Sequence, residues 1–293
     1  MKSFFKKSVI FILVIILLCG CTKKDVADNG EVKIVTSFYP IYLLTANVVD
    51  GVEGVNLVNL TEQQTGCLHD YQVTTQDMKK LENADLFIIN GAGMEHFLDK
   101  IKENYPELKI VDTSVGIELV ESHEGTNPHI WLSIDNAVKQ LNTINNAISE
   151  VDVNNANVYA NNTTAFANRL TELKNTMINE LSGVTSRNII TFHEAFPYFA
   201  RDLGLKIVAT IEDGEHTAHS PKELSEIITI VKENDVKAIF SEPQYSDKMA
   251  QTISDETGVK IYKLDSIVTG ELNKDAYVEA MKANLEVLKE ALR

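Results

Sequence analysis

Seven histidines, His69, His96, His123, His129, His193, His216 and His219, are the side chains of this 293-residue chain best suited to chemistry. A neutral imidazole serves as a metal ligand and, near neutral pH, as a proton carrier. Three of them, with one aspartate, stand out by position. His193 directly follows a strand-like run, Asn188 to Phe192, and Asp265 follows the run Lys260 to Leu264 in the same way. His69 falls on the loop after Val55 to Leu60, and His129 lies in a proline-containing turn, NPHIW, ahead of a helix at Ile134. In open parallel sheets ligands bind just beyond the carboxyl ends of strands. A lone histidine at such a place is more often a satisfied core or surface residue. Three histidines and an aspartate on four separate loops, two from each half of the chain, point instead to one site between two lobes. Three imidazoles and one carboxylate suit Zn²⁺, whereas a Mn²⁺ site is expected to use more oxygen.

The elements that must position these groups are legible as alternating strand-like runs and helical periodicity. One set of runs covers Val32 to Thr36, Val55 to Leu60, Leu86 to Asn90 and Lys109 to Asp112. A second covers Asn188 to Phe192, Lys206 to Thr210, Lys237 to Phe240 and Lys260 to Leu264. Strands alternating with helices predict an α/β fold with parallel sheets flanked by helices. The sets are separated by about 75 residues without strand signal. Within that separator Val138, Leu141, Ile144 and Ile148 lie three or four apart, followed by a second stripe of Val158, Phe166, Leu170, Leu173, Met177 and Leu181. A helix from about Asn154 to Leu181 would be roughly 42 Å long, enough to run along both lobes. The expected organisation is therefore two lobes, each a mainly parallel sheet with its own core, joined by a long backbone helix. Its boundaries are an N-terminal lobe over 32–153, the connecting helix over 154–182 and a C-terminal lobe over 183–293. The last lobe ends in an amphipathic helix with Tyr277, Met281, Leu285, Leu288 and Leu292 on one face.

Charge and the N-terminus bound the setting. The chain has 27 Lys and Arg against 42 Asp and Glu, a net charge of −15, with 44% hydrophobic residues. That excludes a disordered or fibrous chain and argues against nucleic-acid binding, which needs clustered cations. Residues 1–20 hold Lys2, Lys6 and Lys7, no acid, and ten consecutive apolar residues from Val9 to Leu18. Ten are too few to span a bilayer, which takes about 20; the pattern reads as a secretory signal peptide. Leu18-Cys19-Gly20-Cys21 resembles the lipobox of bacterial lipoproteins, which implies cleavage before Cys21 and acylation of its thiol. The mature chain would keep 24 basic and 42 acidic residues, a charge of −18. Only Cys67 would remain as a free thiol, so no internal disulfide is expected. Residues 21–31 read as a flexible tether.

Several segments together resemble the zinc and manganese solute-binding lipoproteins of bacterial ABC importers. They are VTSFYPIYLLTANV at 35–48, LENADLFIINGAGMEHFL at 81–98, NPHIWL at 127–132, HEAFPYFARDLGL at 193–205, FSEPQ at 240–244 and ETGVKIYKLDSI at 256–267. The resemblance implies metal ligands at His69, His129, His193 and Asp265. Members with His at the third of these look like zinc carriers and those with Glu like manganese carriers, so His193 favours zinc. It further implies transported Zn²⁺ rather than a catalytic cofactor, and an ABC permease partner with a cytoplasmic ATPase. The implied location is the outer face of the cytoplasmic membrane, through the lipid on Cys21; a monomer is expected. A manganese carrier of the same family and a surface adhesin are the alternatives. A zinc hydrolase is disfavoured because HEAFP has Pro197 where an HExxH motif needs histidine.

The departures from the family pattern also carry expectations. The first ligand usually follows proline, but here the segment is TGCLHDY, which puts Cys67 two residues from His69 as a packed side chain, a redox-sensitive thiol or a substitute ligand. Asn127 and Ser133 stand where acids are more familiar, so a carboxylate that orients a ligand imidazole is either missing or supplied from elsewhere. His123 in ESHEGT is at most a remnant of a longer His-rich loop, and His216 and His219 in IEDGEHTAHSP form either an accessory metal-collecting pair or a solvated loop. His96 is expected on the surface of a helix.

Overall fold

The computed structural model describes residues 31–61, 68, 71–122, 125–212 and 221–293. The signal segment, Cys21, Cys67, His69, His123, His216 and His219 lie outside the described residues.

The first sheet contains β1 (Val32–Thr36), β2 (Val55–Asn59), β3 (Leu86–Ile89) and β4 (Ile110–Asp112), in the order β2-β1-β3-β4, all parallel. Three helices interleave with them: α1 (Tyr39–Val48), α2 (Thr75–Lys80) and α3 (Leu98–Asn104). A two-stranded hairpin, β5 (Glu121–Ser122) and β6 (Gly125–Thr126), leads through a short 3-10 turn at Ile130–Leu132 into α4 (Ile134–Val151). A further 3-10 turn at Val153–Asn155 opens the long α5 (Ala156–Glu180). The second half contains β7 (Asn188–His193), α6 (Pro197–Leu203), β8 (Lys206–Glu212), α7 (Pro221–Glu233) and β9 (Ala238–Ser241). It ends with α8 (Lys248–Thr257), β10 (Lys260–Lys263) and α9 (Ala276–Ala291). Its sheet runs β8-β7-β9-β10, again all parallel, so both lobes repeat one strand order. Central strands buried on both faces have to be apolar throughout; β3 (LFII) and β9 (AIFS) are buried at every position.

Helix ends follow local chemistry. The Ser133 hydroxyl caps α4 by accepting the N–H of Asn136 at 3.1 Å, and Thr74 with Asp77 forms a capping box at α2. Gly204 and Gly258 close α6 and α8 in left-handed conformation, which costs a residue without Cβ little.

The linking helix α5 has 25 residues and is about 37 Å long. It packs on α1 and α4 of the first lobe and on α6 and α9 of the second. Its buried stripe is Tyr159, Thr163, Phe166, Leu170, Leu173 and Met177. The expectation for Val158 is corrected: it is 41% exposed, and Tyr159 is inside in its place. Val158 lies eight residues before Phe166, which leaves it about 80° around the helix from the stripe; Tyr159, seven before, stays on it.

The expectation of a separate core for each lobe also needs correction. One continuous core runs from Ile34, Leu44 and Phe87 through Leu170 and Met177 to Phe240, Leu264 and Leu285. A second, smaller core under α7 and α8 joins Ile190, Ile211, Ile239 and Ile253. The reason is the position of α5 and α9, each of which packs against elements of both lobes. The segment between β10 and α9 also ties back to the first lobe. Tyr39 donates its hydroxyl proton to the Glu271 carbonyl at 2.7 Å, and Asn47 Nδ2 donates to the Lys274 carbonyl at 2.8 Å. Residues Val32–Arg293 accordingly form one compact unit. Among the described residues no helix is long and apolar enough to cross a membrane.

Candidate metal centre

In a 2-1-3-4 parallel sheet the chain turns in opposite directions from the first and third strands, opening a crevice beyond their carboxyl ends. In the second lobe those strands are β7 and β9, paired at Ile190 with Ile239 and Thr191 with Phe240. His193 is the last residue of β7, and Glu242 is the first residue beyond β9. The two side chains meet across this crevice, with His193 Nδ1 3.0 Å from Glu242 Oε2. The Glu242 side chain is 1% exposed. A carboxylate only accepts, so Nδ1 carries a proton.

His129 approaches from the first lobe. It sits at the start of the Ile130–Leu132 turn, fully buried. Its main-chain N–H donates to Asn127 Oδ1 at 3.0 Å, and its Nδ1 lies 3.1 Å from the same oxygen. An amide oxygen is likewise an acceptor, so Nδ1 of this imidazole also carries a proton. The His129 and His193 rings stand edge to face with centroids 4.9 Å apart. Trp131 flanks His129 at 5.2 Å and Tyr245 flanks His193 at 5.3 Å.

Asp265 lies two residues beyond β10. One carboxylate oxygen accepts the Ile267 N–H at 2.7 Å, and Asn284 brackets the main chain, with its Oδ1 accepting from the Asp265 N–H and its Nδ2 donating to the Asp265 carbonyl. Burial pushes the Asp265 carboxyl above the usual carboxylate range; the Ile267 N–H opposes that shift and the negative charge of Glu242 adds to it. The buried Glu242 carboxylate beside His193 and the half-buried Asp265 that feels its charge make an environment that a cation stabilises. The space lined by His129, His193, Glu242, Gln244, Tyr245, Ser266 and Val268 is too narrow for a water-sized sphere. Organic ligands need roughly 300–1,000 Å³, so this gap suits an ion at most.

Among the described residues, no three His, Cys, Asp or Glu side chains are disposed to hold a metal ion together. Of the four sequence-expected ligands the structure brings His129 and His193 into contact and sets Asp265 where it feels the charge of Glu242; His69 lies outside the described residues. His96 is exposed, as expected, but on a turn ahead of α3 rather than on a helix. Sequence reasoning missed Glu242, although the signal was present: it lies two residues beyond the strand-like run Lys237 to Phe240. The carboxylate sought near the ligands is thus supplied to His193 by Glu242, while His129 takes an amide oxygen. Ser133 has another task, donating to Asp202 Oδ2 at 2.8 Å.

A buried polar network supports the His129 turn. Asn90 Nδ2 donates to the Pro128 carbonyl at 2.9 Å, and Glu95 accepts the N–H groups of Asn90 at 2.8 Å and Gly91 at 3.1 Å. Burial pushes the Glu95 carboxyl up to about 7, the two N–H bonds opposing it. An acid whose folded pKa is raised holds its proton longer in the native state, so its contribution to stability falls as pH rises from about 4.5 to 7. Glu95→Gln is expected to flatten that part of the pH dependence, by up to roughly 3 kcal/mol between pH 5 and 8. Urea denaturation of both chains across this range checks it; parallel curves would refute the assignment.

Two repeated parallel sheets, one long bridging helix and a crevice at the strand ends define the two-lobed class of solute-binding proteins. The chain belongs to the ZnuA family, zinc-uptake complex component A, periplasmic, whose model matches residues 34–291. That family is a metal-binding component of ABC uptake systems, a transport role. A manganese-binding lipoprotein, MntA, of Halalkalibacterium halodurans is 27% identical over 289 residues, covering 94% of this chain and 95% of the relative. The high-affinity zinc uptake system protein ZnuA of Bacillus subtilis is 28% identical over 302 residues, covering 95% and 94%. The solved structure of the laminin-binding protein Lmb of Streptococcus agalactiae, described as bifunctional with adhesin and metal transporting activity, superposes with a TM-score of 0.78. It is 27% identical, with 89% of this chain and 100% of that one covered.

Proposed function

We propose that the chain captures Zn²⁺ outside the cytoplasmic membrane and hands it to an ABC permease whose cytoplasmic ATPase drives import. The observation that carries this reading is the His129–His193 pair. Two imidazoles from different lobes meet with both Nδ1 atoms against oxygen acceptors, so that in a neutral ring Nε2 is the nitrogen suited to ligate a cation. Asp265 and His69 complete a set of three nitrogens and one oxygen, a composition that favours Zn²⁺ over Mn²⁺. Zn²⁺ is cargo, and the chain performs no catalysis.

The anchor in this reading is a lipid on Cys21 after removal of residues 1–20, with 21–31 as tether, and the protein works as a monomer. The lobes are 32–153 and 183–293, with 154–182 linking them. The continuous core favours release by small displacements of the loops carrying His193 and Asp265 over wide hinge opening. Because a bound imidazole must be deprotonated, affinity falls as pH drops toward about 6 to 6.5.

The test is competitive titration of the full-length chain in detergent with Zn²⁺ and Mn²⁺. Near-stoichiometric Zn²⁺ binding that an equal concentration of Mn²⁺ does not displace supports the zinc reading. Preferential Mn²⁺ retention would return the manganese carrier, and binding of neither ion would remove the carrier reading altogether.

A further inference from the structure

Asn127 is bonded to both lobes at once. Its Oδ1 accepts the His129 N–H at 3.0 Å and faces His129 Nδ1 at 3.1 Å, while its Nδ2 donates to the carbonyl of Glu194, the residue after His193, at 2.7 Å. The Asn127 carbonyl accepts the Tyr198 hydroxyl at 2.7 Å, and the Tyr198 oxygen in turn accepts the Val120 N–H at 2.9 Å. The residue is 1% exposed. The amide cannot be reversed, because a main-chain N–H only donates and a main-chain carbonyl only accepts. A single rigid amide group therefore connects the turn that carries His129 to the strand end that carries His193.

We propose that Asn127 is a positioning residue that fixes the separation of the two imidazoles across the lobes and so sets the rate at which a divalent cation leaves. This rests on the reading of His129 and His193 as ligands. The residue type matters. Aspartate would keep the bonds to His129 but would place a second acceptor against the Glu194 carbonyl, where the Nδ2 donor now sits. Tyr198, rooted in α6 of the second lobe, holds the same turn from its other side, and with Ile117 and Ile130 it forms a small buried cluster there. The two ties act on one turn through different groups, so either can be removed while the other remains.

The experiment loads the full-length chain in detergent with Zn²⁺ and follows release to excess chelator by stopped flow. Asn127→Asp should release Zn²⁺ about tenfold faster, the effect of losing one buried hydrogen bond. Tyr198→Phe, which keeps the ring, should release it about threefold faster. Association rates should stay at the wild-type value. Should Asn127→Asp fail to fold, Tyr198→Phe alone decides the matter. Wild-type release rates in the folded variants, even with a lowered melting temperature, would overturn the positioning role and reduce both residues to fold maintenance. His129→Ala separates the two readings. If it binds Zn²⁺ as well as wild type, the site assignment itself fails and the positioning role with it.

Discussion

Replacing His193 by alanine is expected to weaken Zn²⁺ binding by more than the 10- to 100-fold that follows loss of a partner behind a ligand. The deletion removes one of four proposed donors and also leaves Glu242, a 1% exposed carboxylate, without the imidazole it faces at 3.0 Å. An uncompensated buried charge is costly, so the apo protein should lose stability as well. Glu242→Gln is the graded comparison. It preserves shape, changes the acceptor that orients His193, and should reduce affinity by the smaller 10- to 100-fold. Asp265→Ala should resemble His193→Ala. Isothermal titration of each full-length variant reads these effects directly. Equal affinities in wild type, His193→Ala and Asp265→Ala would rule out the assigned ligands, whatever the chain transports.

The largest effect on folding is expected at Trp131. The residue is 0% exposed and packs edge to face on Phe38 with centroids 5.0 Å apart. Its indole N–H donates to the Ser266 carbonyl at 2.9 Å, and its own carbonyl accepts the Tyr277 hydroxyl at 2.6 Å. Trp131 thus joins the turn bearing His129 to the segment following Asp265. Trp131→Ala should cost about 3–5 kcal/mol from lost burial and the cavity left behind. Trp131→Phe should recover most of the packing but leave the Ser266 carbonyl without its donor, at a cost of about 1–3 kcal/mol. Denaturant midpoints with unchanged slopes would measure both. A loss below 1 kcal/mol in Trp131→Ala would show that the core closes over the gap and that the residue does not hold the lobes together. Zn²⁺ affinity should fall in parallel, because the His129 ring rests 5.2 Å from the indole.

How much of this was legible in the sequence differs by element. Both strand sets follow from short apolar, β-rich runs and the linking helix from a period of 3.6 residues, and such patterns are local. The error at Val158 was one of period: seven residues before Phe166, Tyr159 stays on the stripe, whereas Val158, eight before, leaves it. His193 and Asp265 were found because strand-end position is itself a local signal. Glu242 obeys the same rule and was passed over because carboxylates at strand ends are common and its partner lies 49 residues away.

The sequence by itself determined the element order, the candidate donors and the chemical class of the cargo, because residue type and short-range spacing are enough for these. The tertiary structure alone decided which donors share a crevice, since that depends on the strand order 2-1-3-4 bringing β7 beside β9. It also decided that an amide, acting over 67 residues of sequence, connects the His129 and His193 loops. Such contacts depend on the direction in which a buried polar group points, and no periodicity encodes that direction. The core, too, became continuous only through packing, because α5 and α9 each pack against elements of both lobes.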